Sequence, residues 1–140
     1  MLRTDESDIT ADKRAQAFVP DRAWWETLFE AIDSGNAEAF VTFLTPDAHF
    51  RFANAPVMIG LQAISAAVAA FFAAIGSSRH RLLDIWSVGG SAGCEGEVTY
   101  TRHDGSVVTF PFANVFRLRG NEIAAYRVYI DISALFTISK

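Results

Sequence analysis

Hydrophobic and polar positions divide the chain into two stretches of different period. Trp24, Trp25, Leu28, Phe29 and Ile32 recur at helical spacing. Pro20-Asp21 opens this helix, with Asp21 in the N-cap position, and Ser34-Gly35-Asn36 ends it. A second short helix is predicted over Ala37 to Leu44, where Phe40, Phe43 and Leu44 are apolar and Thr45-Pro46-Asp47 breaks the run. His49-Phe50-Arg51-Phe52 alternates polar and apolar, as a half-buried strand does. Asn54-Ala55-Pro56 reads as a loop. Gly60 then precedes a third helix over Leu61 to Ile75, whose alanines favour helix and allow close packing on a sheet.

Beyond Gly76-Ser77-Ser78 the period shortens to two. Arg81 to Val88, Ala92 to Arg102, Val107 to Leu118 and Ile123 to Ile130 are rich in β-branched and aromatic residues. Gly89-Gly90, His103-Asp104-Gly105 and Arg119-Gly120-Asn121 separate them, so the four runs predict an antiparallel meander. Asp131-Ile132-Ser133 leads into a short terminal helix. Helices segregated from an antiparallel sheet define the α+β class. Residues 20–140 are read as one domain. Residues 1–19 are read as a leader that is either mobile or adds a helical turn.

Side chains on a strand alternate between faces, and this parity selects an interior. On the run from Val107, one face carries Val108, Phe110, Phe112, Asn114, Phe116 and Leu118. The other carries Val107, Thr109, Pro111, Ala113, Val115 and Arg117. Val98, Tyr100 and Arg102 share an inward face, as do Tyr126, Val128 and Ile130, and Phe50 and Phe52. The sheet is therefore expected to curl around an apolar pocket. Its expected ligand-binding residues are Trp25, Phe29, Phe50, Phe52, Val98, Arg102, Phe110, Phe112, Phe116, Tyr126, Val128 and Ile130. The opposite face, with Thr99, Thr101, Thr109, Pro111, Ala113 and Val115, carries little charge for a solvated surface. A homodimer through this outer sheet face is expected.

Composition narrows the function classes. The chain has 140 residues, 51% of them hydrophobic, 20% charged, and 12 of them Phe. That is enough for one core with an aromatic-lined site. The formal charge of −4, without a basic run, argues against a nucleic-acid partner. The longest apolar run, Ala66 to Ile75, is too short to span a bilayer. No membrane partner is expected. A single cysteine, Cys94, cannot form an intrachain disulfide, which fits a reducing, cytoplasmic location. No cofactor motif is present, and His49, His80 and His103 lie in separate segments without metal-ligand spacing. Neither a metal nor another cofactor is expected.

Four stretches carry a family resemblance. They are Phe40-Val-Thr-Phe-Leu-Thr-Pro-Asp-Ala-His-Phe50, the helix start at Gly60, Phe112-Ala-Asn-Val-Phe116, and Ile123-Ala-Ala-Tyr-Arg-Val-Tyr-Ile-Asp131. With them the chain resembles the nuclear-transport-factor-2-like superfamily, in its SnoaL-like branch, over roughly Arg22 to Phe136. That superfamily includes ketosteroid isomerases, limonene-epoxide hydrolases and polyketide cyclases. The resemblance implies a cone-shaped α+β barrel, with three N-terminal helices packed on a curved, mostly antiparallel sheet. The Asp-Arg-Asp set of the epoxide hydrolases matches Val98, Tyr100 and Val128. Their water-holding Tyr and Asn match Phe50 and Phe52. The acid–base Asp of the cyclases also matches Val128. The isomerase base matches Phe52, its oxyanion Tyr matches Leu28, and its second oxyanion donor matches Asn114. An Asn donates the same hydrogen bond without needing a raised pKa.

The candidate catalytic residues are therefore Tyr100 and Asn114 as donors to a developing oxyanion, with Asp131 or His49 for proton transfer. Asp131 has outward parity and precedes Ile132-Ser133, where it caps the terminal helix, unless a bulge at the strand end turns it inward. His49 has outward parity beside Arg51. One of Trp24 and Trp25 packs in the core, leaving the other to close the pocket mouth. Three functions fit these residues: an isomerase, cyclase or hydrolase acting on a hydrophobic molecule, a non-catalytic binding protein for such a ligand, and a dimerising accessory domain.

Overall fold

The computed structural model describes residues 18–136. The leader expected over residues 1–19 lies outside these, apart from Phe18 and Val19. Among the described residues there are three helices: α1 (Arg22–Asp33), α2 (Ala37–Val41) and α3 (Leu61–Ala74). Asp21 caps α1, its side chain accepting from the Trp24 N–H, and Asn36 caps α2 through Ala39 N–H. Gly35, at φ 71°, takes the left-handed turn that ends α1. The second helix stops at Val41 rather than Leu44. Leu44 already pairs with Ile123, and backbone claimed by a sheet cannot also continue a helix.

Six strands among the described residues form one sheet: β1 (Leu44–Phe52), β2 (Met58–Ile59), β3 (Ser77–Val88), β4 (Ser91–Thr101), β5 (Val107–Arg119) and β6 (Glu122–Ile130). Their spatial order is β2-β1-β6-β5-β4-β3. β3 to β6 form the expected meander, and only β1 and β6 pair in parallel. The sheet does not close on itself. It is a curved open sheet whose hollow is covered by helices, the cone-shaped α+β arrangement.

Three differences from the sequence reading have local causes. β1 begins at Leu44, and between the Leu44–Ile123 and His49–Ala125 pairs it advances five positions against two on β6. Thr45-Pro46-Asp47 is therefore an irregular stretch of strand rather than a break before one. β3 begins at Ser77 rather than Arg81, with Ser78 paired to Tyr100 and His80 to Val98. The expected terminal helix is absent among residues 131–136, which form turns. Asp131 caps one of these turns, accepting from the Ser133 N–H at 3.0 Å.

The core lies between the hollow of the sheet and the helices. Trp25, wholly buried, stacks on Phe116 at 4.8 Å, and Phe40 meets Tyr126 at 5.2 Å. Parity holds along β5: Phe112, Asn114 and Phe116 are buried, whereas Val107, Thr109 and Pro111 are exposed. No helix among the described residues is long and apolar enough to cross a membrane.

Candidate active site

The hollow of the sheet retains a cavity of about 240 Å³. Every strand contributes to its wall, and α1, α2 and α3 supply Phe29, Phe40 and Phe71. Ten of the expected lining residues face it: Phe29, Phe50, Phe52, Val98, Phe112, Tyr126, Val128 and Ile130, together with Tyr100 and Asn114. Trp25, Phe110 and Phe116 do not, because they pack one layer away. Trp24 does not close the mouth. It packs against Phe43 and Phe116 instead.

Most of the wall is hydrocarbon. Its polar side chains are Ser78, His80, Tyr100, Asn114 and Tyr126, and among the described residues no Asp, Glu, Lys or Arg lines it. Arg102 is spent elsewhere: its guanidinium donates to the carbonyls of Leu135 and Ala134 and to Ser106 Oγ, tying down the C-terminal segment. His49 is exposed, in the register position beside Ile59 and Ala125. Asp131 is also exposed, its carboxyl held below the usual range by the Ser133 hydrogen bond. Neither group reaches the cavity.

The imidazole that lines the cavity is His80. Its Nδ1 lies 2.6 Å from Asp33 Oδ1, and its backbone N–H donates to Asp33 Oδ2 at 2.8 Å. Ser78 Oγ donates to Asp33 Oδ1 at 2.8 Å. Asp33 ends α1, so the first helix delivers the carboxylate and β3 delivers the ring. With the carboxylate on Nδ1, the neutral ring carries its proton there and keeps a lone pair on Nε2. Nε2 makes no hydrogen bond among the described residues. Phe29 stacks on the ring at 4.5 Å, and Phe112 meets it edge-on at 5.1 Å, so its plane is fixed.

A second groove reaches the same pair from outside. Arg22, Glu26, Glu30 and Arg81 line it, together with Phe29, Asp33 and His80. The dyad thus stands between an apolar cavity and a polar surface groove. Asp33 is 24% exposed at its side chain and His80 10%.

The other polar groups are neutral donors and acceptors. Burial, with the Asp33 charge adding to it, pushes the Tyr100 phenol above its ordinary range. Tyr100 therefore stays protonated and able to donate. Tyr100 sits directly across from Ser78 in the β3–β4 register. Tyr126 is held up chiefly by burial, and accepts from Asn114 Nδ2 at 3.3 Å. Cys94 is pushed up to about 12 by burial, which leaves its thiol inert.

A model of the SnoaL-like domain matches residues 25–126. The chain belongs to the SnoaL-like family. Solved structures share the fold at low identity. A Catenulispora acidiphila protein with a ketosteroid isomerase-like fold, in complex with trimethylamine, aligns with a TM-score of 0.72 at 22% identity, over 78% of this chain and 85% of that one. TerC, co-crystallised with polyporic acid, gives 0.73 at 14%, over 84% and 95%. A candidate SnoaL-like polyketide cyclase from Jannaschia sp. CCS1 gives 0.67 at 17%, over 81% and 88%. At these identities the likeness is one of fold. No curated protein matches the chain.

Within this SnoaL-like framework, two positions that the sequence resemblance sets against catalytic carboxylates are valines. Val98 and Val128 both line the cavity. The His80–Asp33 pair comes from another quarter, the end of α1 and the start of β3. Sequence reasoning missed Ser78, His80 and Asp33. The available signal was the parity of Ser78, His80 and Leu82, which continues the inward face of β3 upstream of Arg81.

Proposed function

We propose that this SnoaL-like protein is an acid–base enzyme that moves a proton on an uncharged hydrophobic molecule, as an isomerase or cyclase would. The observation that carries the proposal is the His80–Asp33 pair, with Nε2 outside any hydrogen bond among the described residues and His80 lining an apolar cavity. His80 Nε2 removes a proton from a carbon next to a carbonyl. The electron pair of that C–H bond moves onto the carbonyl oxygen, giving an enolate, and the Tyr100 hydroxyl donates a hydrogen bond to that oxygen. The imidazolium so formed is balanced by Asp33, which also fixes the tautomer. Return of the proton to a different atom completes an isomerisation. Attack of the enolate carbon on a second carbonyl of the same molecule completes a cyclisation, the proton passing to the new alkoxide. The small ligands in the structures of TerC and the Catenulispora protein support a cavity that serves as a binding site.

The groove on the far side of the dyad gives the imidazolium a route to exchange with water. In heavy water the protein is expected to accelerate deuterium uptake at the α-carbons of 2-tetralone, a neutral two-ring ketone, followed by proton NMR. Exchange no faster than in buffer would count against the reading.

We also propose that the outer sheet face pairs with a second copy of the chain. Its centre is weakly polar, with Thr99 and Thr109 hydroxyls 2.9 Å apart beside Pro111 and Ala113. Its flanks carry both signs, as in the Arg81–Glu97 pair. A two-fold interface needs that self-complementarity. A cytoplasmic location belongs to the same proposal and rests on the free, inert Cys94.

A further inference from the structure

On the outer face of the sheet, near the β5–β6 turn, two rows of side chains run across the strands. Arg51, Arg127, Val115, Gly93 and Trp86 are in register in one. His49, Ala125, Arg117, Ser91 and Val88 are in register in the next. Arg51, Arg117 and Arg127 are exposed, and none of them makes an ion pair among the described residues. Arg51 and Arg127 stand directly beside each other on β1 and β6, and like charges so placed cost stability. Neither row holds an Asp or a Glu. The row on one side, with Tyr129, Ala113, Glu95 and Asp84, has its acids on β4 and β3. On the other side, Asp47 pairs with Arg119, and Glu122 is in register with that same arginine.

The two rows form a basic band on a chain of net charge −4. The far end of the band is apolar. The Trp86 indole lies over Gly93, leaving no room for a Cβ there, and Val88 is 73% exposed. A segment that fits carries several carboxylates in a row with an apolar residue beside them. The chain itself has such a stretch: Asp5-Glu6-Ser7-Asp8 is followed by Ile9. The described residues begin at Phe18, which meets Trp24 at 5.8 Å, and Trp24 meets Phe116 at 6.1 Å. Phe116 lies between Val115 and Arg117 on β5 and faces the core. The described chain therefore starts level with the band, on the opposite face of the sheet. Gly120, in the turn, is three residues from Arg117, so a path around the turn is roughly 20 Å long. Asp8 is ten residues before Phe18, and that length of chain spans up to roughly 35 Å.

We propose that Asp5, Glu6 and Asp8 of this chain dock on Arg51, Arg117 and Arg127. The three carboxylates supply the counter-charge that the arginines lack in the sheet. The contact leaves the Thr99–Thr109 centre of the outer face free, because Thr109 lies six residues before Val115 on β5. It is independent of the reaction assigned to His80.

A nitroxide attached through Ser7→Cys in the full chain tests this by NMR. Cys94 is buried, with its thiol pushed up to about 12, and does not take the label. At low salt the amide signals of Val115, Ala125 and Arg127 are expected to lose most of their intensity. They are expected to regain it in about 1 M salt, where the screening length falls to about 3 Å. Combining Asp5→Asn, Glu6→Gln and Asp8→Asn is expected to abolish the broadening, as is combining Arg51→Glu with Arg127→Glu. Adding Asp5→Lys, Glu6→Lys and Asp8→Lys to the arginine reversal is expected to restore it, which a damaged fold would not allow. Band signals untouched by the nitroxide would overturn the proposal, as would broadening that the charge changes leave intact. Broadening seen only when nitroxide and isotope are on different copies of the chain would also overturn it, by giving the contact to a second copy.

Discussion

At the scale of single residues, Asp33 is placed against a local preference. It ends a helix, where the dipole disfavours negative charge, and it is held there by three hydrogen bonds from Ser78 and His80. Local conflicts of this kind gather at functional sites. Buried acids of the core bear on stability instead. Tyr100 and Tyr126 are raised by burial, and Cys94 rises from an ordinary 9.0 to about 12. A raised pKa means that the folded state keeps a proton the unfolded chain has released. The contribution is whole below the unfolded value and is lost as pH climbs through the folded one. Urea midpoints are therefore expected to fall between about pH 8 and about pH 10.5, less steeply in Cys94→Ala. A flat profile would contradict the burial of these groups. Residue parity made Tyr100, Asn114 and the aromatic lining legible in the sequence. It could not single out His80, because Gly76-Ser77-Ser78 read as a turn and the strand was begun one residue too late to include it. Asp33 was illegible for another reason: its partner lies 47 positions away, and only the packing of α1 on β3 joins them.

At the scale of elements, curvature comes from irregular strands. β3 carries an extra residue between Leu82 and Asp84, which face Gly96 and Glu95 of β4. Leu83 is the odd residue, and such bulges bend a strand. The bend brings the Arg81 carbonyl so close to Gly96 that a Cβ there would lie 2.1 Å from it. Backbone cannot yield as a flexible side chain does. Gly96→Ala is expected to destabilise the fold by roughly 1–3 kcal/mol, read by urea unfolding. An unchanged midpoint would mean that the bulge is not fixed. Bulges leave no period in a sequence, so the number and order of the meander strands were legible but their starts were not. The two-residue β2 was too short to show any period. The Arg102 anchor was hidden for a similar reason, since backbone carbonyls 32 and 33 residues away have no sequence signature.

At the scale of the whole molecule, an open sheet and three helices among the described residues enclose a cavity, and His80 lines both it and a surface groove. The outer face of that sheet has a weakly polar centre, and Val107 and Tyr129 are 60% and 56% exposed on it. A dimer mass by light scattering at micromolar concentration is expected, and a monomer mass would refute the paired face. The central claim concerns His80. Its most direct measurement compares deuterium uptake by 2-tetralone with the wild type and with His80→Gln, at matched occupancy of the cavity. A catalytic imidazole contributes about a hundredfold or more, so uptake is expected to fall by at least that factor in the variant while the ketone still binds. Equal rates in the two proteins would contradict the account.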